Sequence, residues 1–143
     1  MSDNQFKPIL FVEDDLVVMT AYRNKLQQAG FHVETAGDGV EALKQLTLFT
    51  PDVVILDLML PKVNGVDVMR FIRKTPRLQK VPVIVLSTNS ILDGKSDAIL
   101  ESAQKRLIKD TCTPASVIAA IHEVLHHPPA AQPLDNSISP VNI

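Results

Sequence analysis

Residues 53–57, Val-Val-Ile-Leu-Asp, decide the fold class of this chain of 143 residues. The run of four apolar residues is too short for a helix, is rich in β-branched side chains, and ends on a carboxylate. Continuous hydrophobicity is typical of a parallel strand that is covered on both faces. Residues 32–35 place Val33 among polar residues and predict an exposed edge strand. Runs like the first occur at residues 9–12, 83–86 and, more weakly, 107–108.

Between these runs the apolar residues recur at helical spacing. Val18, Tyr22 and Leu26 predict a first helix that stops at Gly30. A last helix is predicted around residues 117–124, with Thr113 or Thr111 as N-cap and Pro114 as an early helical residue. Strand and helix therefore alternate five times, which predicts an α/β fold with a parallel sheet wrapped on both faces. The three remaining predicted helices cover residues 39–49, 64–74 and about 95–102.

Composition and length indicate one soluble domain. The hydrophobic fraction is 45%, the charged fraction 21% and the net charge −2, as in ordinary globular proteins. Residues 8–127 are predicted to form the domain, residues 1–7 an N-terminal extension, and residues 128–143 a Pro-rich flexible tail or linker, since repeated prolines cannot continue a helix.

The same features exclude several classes of protein. The basic residues are scattered, which argues against direct binding to nucleic acid or to an anionic membrane. One cysteine, Cys112, permits no internal disulfide and fits a reducing compartment. No apolar run approaches the roughly 18 residues that span a bilayer, and the N-terminus does not resemble a signal peptide. We therefore expect a cytoplasmic protein.

Polar residues follow the predicted strands where each strand ends. Because ligands bind outside the carboxyl ends of parallel strands, these residues are expected to converge at one edge of the sheet. They are Glu13, Asp14 and Asp15 after the first strand, Asp57 after the third, Ser87 and Thr88 after the fourth, and Lys109 after the last. Carboxylates, a hydroxyl and an ammonium together predict a site for a hard cation beside a phosphoryl group.

The chemistry of such a site assigns a task to each residue. Mg²⁺ is usually held by one or two carboxylates, waters and phosphate oxygens. Asp14 and Asp57 are the predicted ligands, with Glu13 in an outer or water-mediated contact. A carboxylate can also act as the nucleophile in phosphoryl transfer, which would make Asp57 an aspartyl phosphate. Lys109 would then neutralise one phosphoryl oxygen, and the Ser87 hydroxyl would hydrogen-bond another.

Each of these residues also has an ordinary structural interpretation. Asp57 could be a turn residue, and residues 13–15 could cap the next helix and complement its dipole. Ser87 suits a turn, and Lys109 could be solvated. The functional interpretation is favoured because all of these ordinary roles would have to coincide at one edge of one sheet.

Four segments resemble the signature segments of response regulator receiver domains. They are Ile-Leu-Phe-Val-Glu-Asp-Asp (9–15), Val-Val-Ile-Leu-Asp-Leu-Met-Leu-Pro-Lys-Val-Asn-Gly (53–65), Val-Pro-Val-Ile-Val-Leu-Ser-Thr (81–88) and Ser-Ala-Gln-Lys-Arg-Leu-Ile-Lys (102–109). The resemblance extends from about Pro8 to Leu125, and its second segment is the most specific.

The resemblance implies a flavodoxin-like (βα)5 fold, a doubly wound parallel sheet of strand order 2-1-3-4-5. It implies phosphorylation of Asp57 by a histidine kinase or histidine phosphotransfer protein, with Mg²⁺ or Mn²⁺ as cofactor and the Met59 carbonyl as a metal ligand beside Glu13, Asp14 and Asp57. Such a protein is a signalling switch that assists only its own phosphoryl transfer and dephosphorylation. It would be a monomer or weak dimer. It would bind a downstream protein partner through a face formed by the fourth helix, last strand and fifth helix.

Three residues depart from the family pattern. Arg106 stands where receivers usually carry Tyr or Phe, and a guanidinium cannot enter an apolar slot without a partner. Asp110 replaces the proline that usually follows the lysine through a cis bond, and a cis bond without proline costs about 2.5–4 kcal/mol. Thr88 replaces a smaller residue and is expected to crowd the phosphoryl pocket. Thr88 and Arg106 nevertheless occupy family positions that respond to phosphorylation. The residues expected to assist phosphoryl transfer or to switch with it are Ser87, Lys109, Thr88 and Arg106.

Two alternative functions compete with a phosphorylated receiver. A degenerate receiver that only docks proteins is favoured by Arg106 and Asp110, while the retained acidic residues argue against it. A phosphatase of the haloacid-dehalogenase type needs an acid two residues after the nucleophile, where this chain has Met59. His122 and His126 are spaced as a metal pair, but without a third ligand their predicted role is to complement the dipole at the end of the last helix. The predicted tail is too short for a DNA-binding domain, so the chain is either stand-alone or cut from a longer regulator.

Overall fold

The computed structural model describes residues 8–88 and 98–126, which form a five-stranded sheet with helices on both faces. All neighbouring strands are parallel and their order is β2-β1-β3-β4-β5, so the predicted fold class and strand order are confirmed. The predictions for residues 1–7 and 128–143 lie outside the described ranges. The strands are β1 (Pro8–Val12), β2 (His32–Ala36), β3 (Val53–Asp57), β4 (Val83–Ser87) and β5 (Lys105–Ile108).

The helices lie close to their predicted positions, with one exception. The segment predicted as a helix at 95–102 is, over its described part, the 3-10 helix Ala98–Ser102; residues 95–97 lie outside the described ranges. A second 3-10 helix covers Pro76–Leu78. Gly30 follows the C-cap residue of the first helix, Ala29, and adopts a φ of 100°, as expected of a glycine that ends a helix. The α-helices are α1 (Leu16–Gln28), α2 (Gly39–Leu48), α3 (Gly65–Lys74) and α4 (Pro114–His126).

The sheet separates two hydrophobic cores, because alternate side chains of a strand point to opposite faces. One face of β1 and β3 contributes Leu10 and Leu56 to the core that contains residues of α2 and α3. The other face contributes Phe11 and Ile55 to the core that contains residues of α1 and α4. Every residue of β3 is buried. The continuous apolar run at 53–56 therefore has the physical cause expected of it, a central strand covered on both sides.

The edge strand β2 is less exposed than predicted. It lies at the edge of the sheet, as expected, and the His32 side chain is exposed. Val33 and Ala36, however, are buried, and Val33 packs in the same core as Phe11. The prediction of an exposed strand was wrong for these two side chains, because they point to opposite faces of β2, and the first helix packs on one face and the second helix on the other.

Arg73 connects α3 with the segment that precedes β5. Its guanidinium donates to the Ser102 carbonyl at 2.8 Å, to Gln104 Oε1 at 3.0 Å and to the Val81 carbonyl at 2.8 Å. Burial lowers the pKa of Arg73, and these acceptors compensate for the lost hydration. Gln104 Oε1 also accepts from the Val83 N–H at 2.8 Å, so this network fixes the starts of β4 and β5 together.

Within the described ranges, no helix is long and apolar enough to cross a membrane.

Candidate functional site

The candidate site lies at the carboxyl edge of the sheet, where the strand register places four polar residues side by side. Glu13 directly follows β1, Asp57 ends β3, Ser87 ends β4 and Lys109 directly follows β5. The pairing aligns Asp57 with the penultimate residue of β4, and Ser87 with the last residue of β5. The predicted convergence of these residues is therefore present in the fold.

Lys109 is the centre of the contacts at this edge. Its Nζ lies 2.6 Å from Asp57 Oδ2 and 3.2 Å from Glu13 Oε2, and both carboxylates are fully buried. The main chain fixes Lys109, because its N–H donates to the Ser87 carbonyl at 2.8 Å. One ammonium thus joins residues that are 52 and 96 positions away in the sequence.

Three carboxylates at the site have the donor set of a divalent cation. One carboxylate oxygen each of Glu13, Asp14 and Asp57 lies within 4.8 Å of the others, and Asp14 is exposed to solvent. Of the described residues, Glu13 Oε1 is one of two buried side-chain polar atoms without a hydrogen-bond partner. An unpartnered buried oxygen and clustered carboxylates fit a hard metal ion.

The buried charges at the site shift the pKa values of Glu13 and Lys109. Burial raises the pKa of Glu13 above its usual range, and the charge of Asp57 adds to this effect, while the Asp15 N–H and Lys109 oppose it. Burial alone would lower the pKa of Lys109. The hydrogen bond and charge of Asp57, together with Glu13, outweigh burial and raise it. The ammonium is therefore held charged beside its carboxylates, and a second cation would relieve their mutual repulsion.

The hydroxyl residues lie beside this cluster. Ser87 is fully buried, and its Oγ is the other buried polar atom without a partner among the described residues. Thr88 is half-buried and follows it directly. A buried hydroxyl that makes no hydrogen bond can donate one to an incoming oxygen. The crowding predicted for Thr88 stays a prediction.

Two of the ordinary structural roles are also present. Asp15 Oδ1 accepts from the N–H groups of Val17 and Val18 and so caps α1. Asp57 Oδ1 accepts from the Met59 N–H at 3.0 Å, which is a turn contact. The turn contact leaves Asp57 Oδ2 directed at Lys109, so the two roles of Asp57 coexist. The predicted role of the Met59 carbonyl stays a prediction.

Arg106 lies on β5 with its guanidinium near solvent. Arg106 Nη2 is 3.5 Å from Glu101 Oε2, and 29% of its side chain is exposed. Its neighbour Lys105 pairs with Glu123 of α4 at 2.7 Å. The position of the family's usual aromatic residue is thus taken by a cation that pairs with the Ala98–Ser102 segment. Asp97, the other acid of the predicted fourth helix that could pair with Arg106, lies outside the described residues.

The loop after Lys109 contains contacts that the sequence did not predict. The described residues contain no cis peptide bond, so the chain passes from Lys109 to Asp110 in the trans form. The Tyr22 hydroxyl of α1 lies 3.4 Å from both the carbonyl and Sγ of Cys112. Sequence patterns placed Tyr22 only on the apolar face of a helix, because a contact across 90 residues leaves no local signal.

The histidine pair on α4 packs as aromatic rings. The rings of His122 and His126 are 5.5 Å apart in an edge arrangement, and Phe31 lies 5.6 Å from His122. Within the part of the chain that the structure describes, no third metal-ligating side chain joins this pair.

Comparison with known proteins assigns the class to which this fold and site belong. The family model of the response regulator receiver domain matches residues 9–122. The chain is a member of the response regulator receiver domain family, and the resemblance found in its sequence is confirmed.

Curated relatives share the domain within longer proteins. The transcriptional regulatory protein PrrA of Mycobacterium leprae is 37% identical over 101 residues, which are 71% of this chain and 42% of that protein. The alkaline phosphatase synthesis transcriptional regulatory protein PhoP of Bacillus subtilis is 31% identical over 129 residues, 89% of this chain and 52% of that protein. The chain spans about half the length of the curated relatives it matches.

Solved structures share the architecture over most of their length. The chemotaxis response regulator CheY4 of Vibrio cholerae is 28% identical with a TM-score of 0.73, and the alignment covers 83% of this chain and 98% of that one. The response regulator TrrA of Thermotoga maritima, in complex with Mg²⁺ and BeF, is 28% identical with a TM-score of 0.72 and coverages of 82% and 98%. A receiver domain of a sensor histidine kinase from Pseudomonas aeruginosa has magnesium in its active-site cleft and is 25% identical, with a TM-score of 0.73 and coverages of 82% and 95%.

Proposed function

We propose that this receiver domain accepts a phosphoryl group on Asp57 in an Mg²⁺-dependent reaction, with a histidine kinase or histidine phosphotransfer protein as donor. The observation that carries the proposal is the contact of 2.6 Å between Lys109 Nζ and Asp57 Oδ2 in a buried site. An aspartate with only a structural role at the end of a strand does not require an ammonium beside it. Here the ammonium comes from Lys109, which follows the edge strand β5.

The residues divide the work of phosphoryl transfer. A carboxylate oxygen of Asp57 attacks phosphorus, a P–O bond forms, and the bond from phosphorus to the donor nitrogen breaks with its electron pair leaving on that nitrogen. Lys109 then turns from Asp57 to a phosphoryl oxygen without leaving the site. The unpartnered Ser87 hydroxyl donates to a second phosphoryl oxygen. Thr88, the residue after Ser87, is proposed to border the phosphoryl group as well.

The cation site belongs to the same proposal. Asp14, Asp57 and the Met59 carbonyl would hold Mg²⁺, or Mn²⁺ in its place, with Glu13 in an outer contact. When bound, the ion supplies positive charge that neutralises the transferring phosphoryl group. The support is the cluster of carboxylate oxygens and the unpartnered Glu13 Oε1.

Mg²⁺ is expected to raise the thermal stability of the protein, and Asp14→Ala is expected to remove the effect. A metal that binds only the folded state adds about 2.7 kcal/mol to the free energy of unfolding at a concentration 100 times its Kd. Thermal unfolding with and without saturating Mg²⁺ measures the shift. Asp15→Asn is the matched control, because it removes a neighbouring charge but keeps the oxygen that caps α1. An unchanged melting temperature in the wild-type protein would contradict a formed metal site.

The proposal extends to a downstream partner that binds the face of β5 and the elements beside it. This face presents Arg106, whose guanidinium pairs with Glu101. An acidic partner could displace Glu101, since an ion pair this exposed contributes little to stability. Because Arg106 cannot enter an apolar slot as an aromatic ring does, phosphorylation should alter this face only weakly.

Amide chemical shifts with and without a phosphoryl mimic test this weak switch. We expect the largest changes at Asp57, Ser87 and Lys109, and changes several-fold smaller across Ala98–Ser102 and at Arg106, because the Glu101 contact persists. Large shifts over that segment together with burial of Arg106 would refute the weak switch. The degenerate receiver remains distinguishable, because it would show no shifts at Asp57 either.

A further inference from the structure

The loop after Lys109 lacks the proline that usually follows the lysine in this family, so other contacts must fix its conformation. Residue 110 is Asp, and the peptide before it is trans. The Ile108 carbonyl closes the turn by accepting from the N–H of Thr111 at 3.2 Å and of Cys112 at 3.0 Å. These bonds fix the end of the turn, but they place no constraint on the Lys109 carbonyl.

A second set of contacts reaches the Lys109 backbone through Cys112. The Cys112 thiol lies 3.7 Å from the Lys109 carbonyl and can donate to it. The Tyr22 hydroxyl donates to the Cys112 carbonyl at 3.4 Å and lies 3.4 Å from the Cys112 sulfur. Tyr22 is itself fixed on α1, with its ring 5.5 Å from that of Phe11 of β1. A continuous chain of contacts therefore runs from α1 to the peptide carbonyl of Lys109.

We infer that Tyr22 and Cys112 are positioning residues that hold the loop so that the Lys109 ammonium stays against Asp57 and Glu13. This role rests on the proposed function of Lys109 in stabilising the transferred phosphoryl group. Neither side chain touches the reacting atoms; both act through the backbone of the loop. They replace the conformational constraint that a proline ring would impose at residue 110.

The state of the Tyr22 hydroxyl suits this role. Burial raises the pKa of Tyr22, and the hydrogen bond to Cys112 raises it further. The phenol therefore keeps its proton at neutral pH and remains a donor. Each contact is weak alone, but together they tie an α1 residue to a turn 90 positions later in the chain.

Lysine acylation of the metal-free protein tests the inference without relying on activity. In Tyr22→Phe, the rate of Lys109 modification, measured by peptide mass spectrometry, should rise about three- to tenfold, the factor expected for the loss of one or two hydrogen bonds. Lys105, which pairs with Glu123, is the internal control and should keep its rate. An unchanged Lys109 rate would overturn the inference, and equal increases at both lysines would show general loosening instead.

A second arm links the contacts to the reaction. The rate of Asp57 labelling by a small phosphodonor should fall several-fold in Tyr22→Phe and in Cys112→Ala, and recover in Cys112→Ser, which keeps a donor. In a Lys109→Gln background Tyr22→Phe should have no further effect, because the two changes act on one group. Additive losses would overturn the inference.

Ile118→Val, on α4 in the same core, controls for a loss of stability. Absence of labelling in the wild-type protein would refute the proposed function, while acylation would still report on Tyr22.

Discussion

Asp57→Asn is expected to take up no phosphoryl group, whereas the wild-type protein incubated with a small phosphodonor and Mg²⁺ gains the mass of one. The amide keeps the oxygen that accepts from the Met59 N–H, so the turn after β3 should survive. It removes the charged oxygen beside Lys109 and with it the nucleophile. Intact-protein mass spectrometry measures the uptake, and an unfolding curve establishes that the variant is folded.

The control for this prediction is Asp52→Asn. Asp52 is a half-buried acid just before β3, on the opposite edge of the sheet, and labelling should be unchanged in this variant. Acid-labile label that persists in Asp57→Asn would show that another side chain accepts the phosphoryl group. Loss of label in both variants would point to disturbance of the strand rather than to the role of Asp57.

Gly39→Ala is expected to lower the free energy of unfolding by about 3 kcal/mol or more, at the upper end of what overpacking costs. Gly39 begins α2, and a Cβ there would lie 1.7 Å from the Val63 carbonyl oxygen and 2.5 Å from its carbon. These are backbone atoms, so no side chain can rotate away. Either α2 or the loop between β3 and α3 has to shift, and that loop follows Asp57 directly. Urea denaturation measures the change.

Gly37→Ala is a control of the same chemistry two residues earlier. A Cβ at Gly37 would meet only Glu41 Oε1, at an ordinary contact distance of 3.6 Å. The free energy of unfolding should change by about 0.5 kcal/mol or less, as for most surface substitutions. Equal losses in the two variants would show that the close approach of α2 to Val63 is not what requires glycine. We also expect slower labelling of Asp57 in Gly39→Ala than in Gly37→Ala, because the loop that Gly39→Ala would displace follows Asp57 directly.

The fold class was predictable because its signals are local. The apolar run 53–56 can be buried on both faces only in the middle of a sheet, and the helical spacing between runs indicates crossover connections. In a parallel sheet, strand ends share one edge, so Asp57, Ser87 and Lys109 could be expected to meet before any distance was known. Thr113 or Thr111 was predicted as the cap of α4, and in the structure the Thr113 Oγ1 accepts from the Ser116 N–H at 3.1 Å.

Other features were decided by the tertiary structure alone. The sequence could not reveal that Tyr22 reaches Cys112, that Arg73 spans α3 and the start of β5, or which acid pairs with Arg106. The 3-10 geometry of Ala98–Ser102 and the burial of Val33 likewise depend on what packs against them. The spacing of apolar residues predicts which face of a helix or strand is buried, because buried positions recur once per turn in a helix and at every second residue in a strand. Periodicity does not indicate which distant side chain forms a hydrogen bond, because that partner depends on how the loops and helices pack against the sheet.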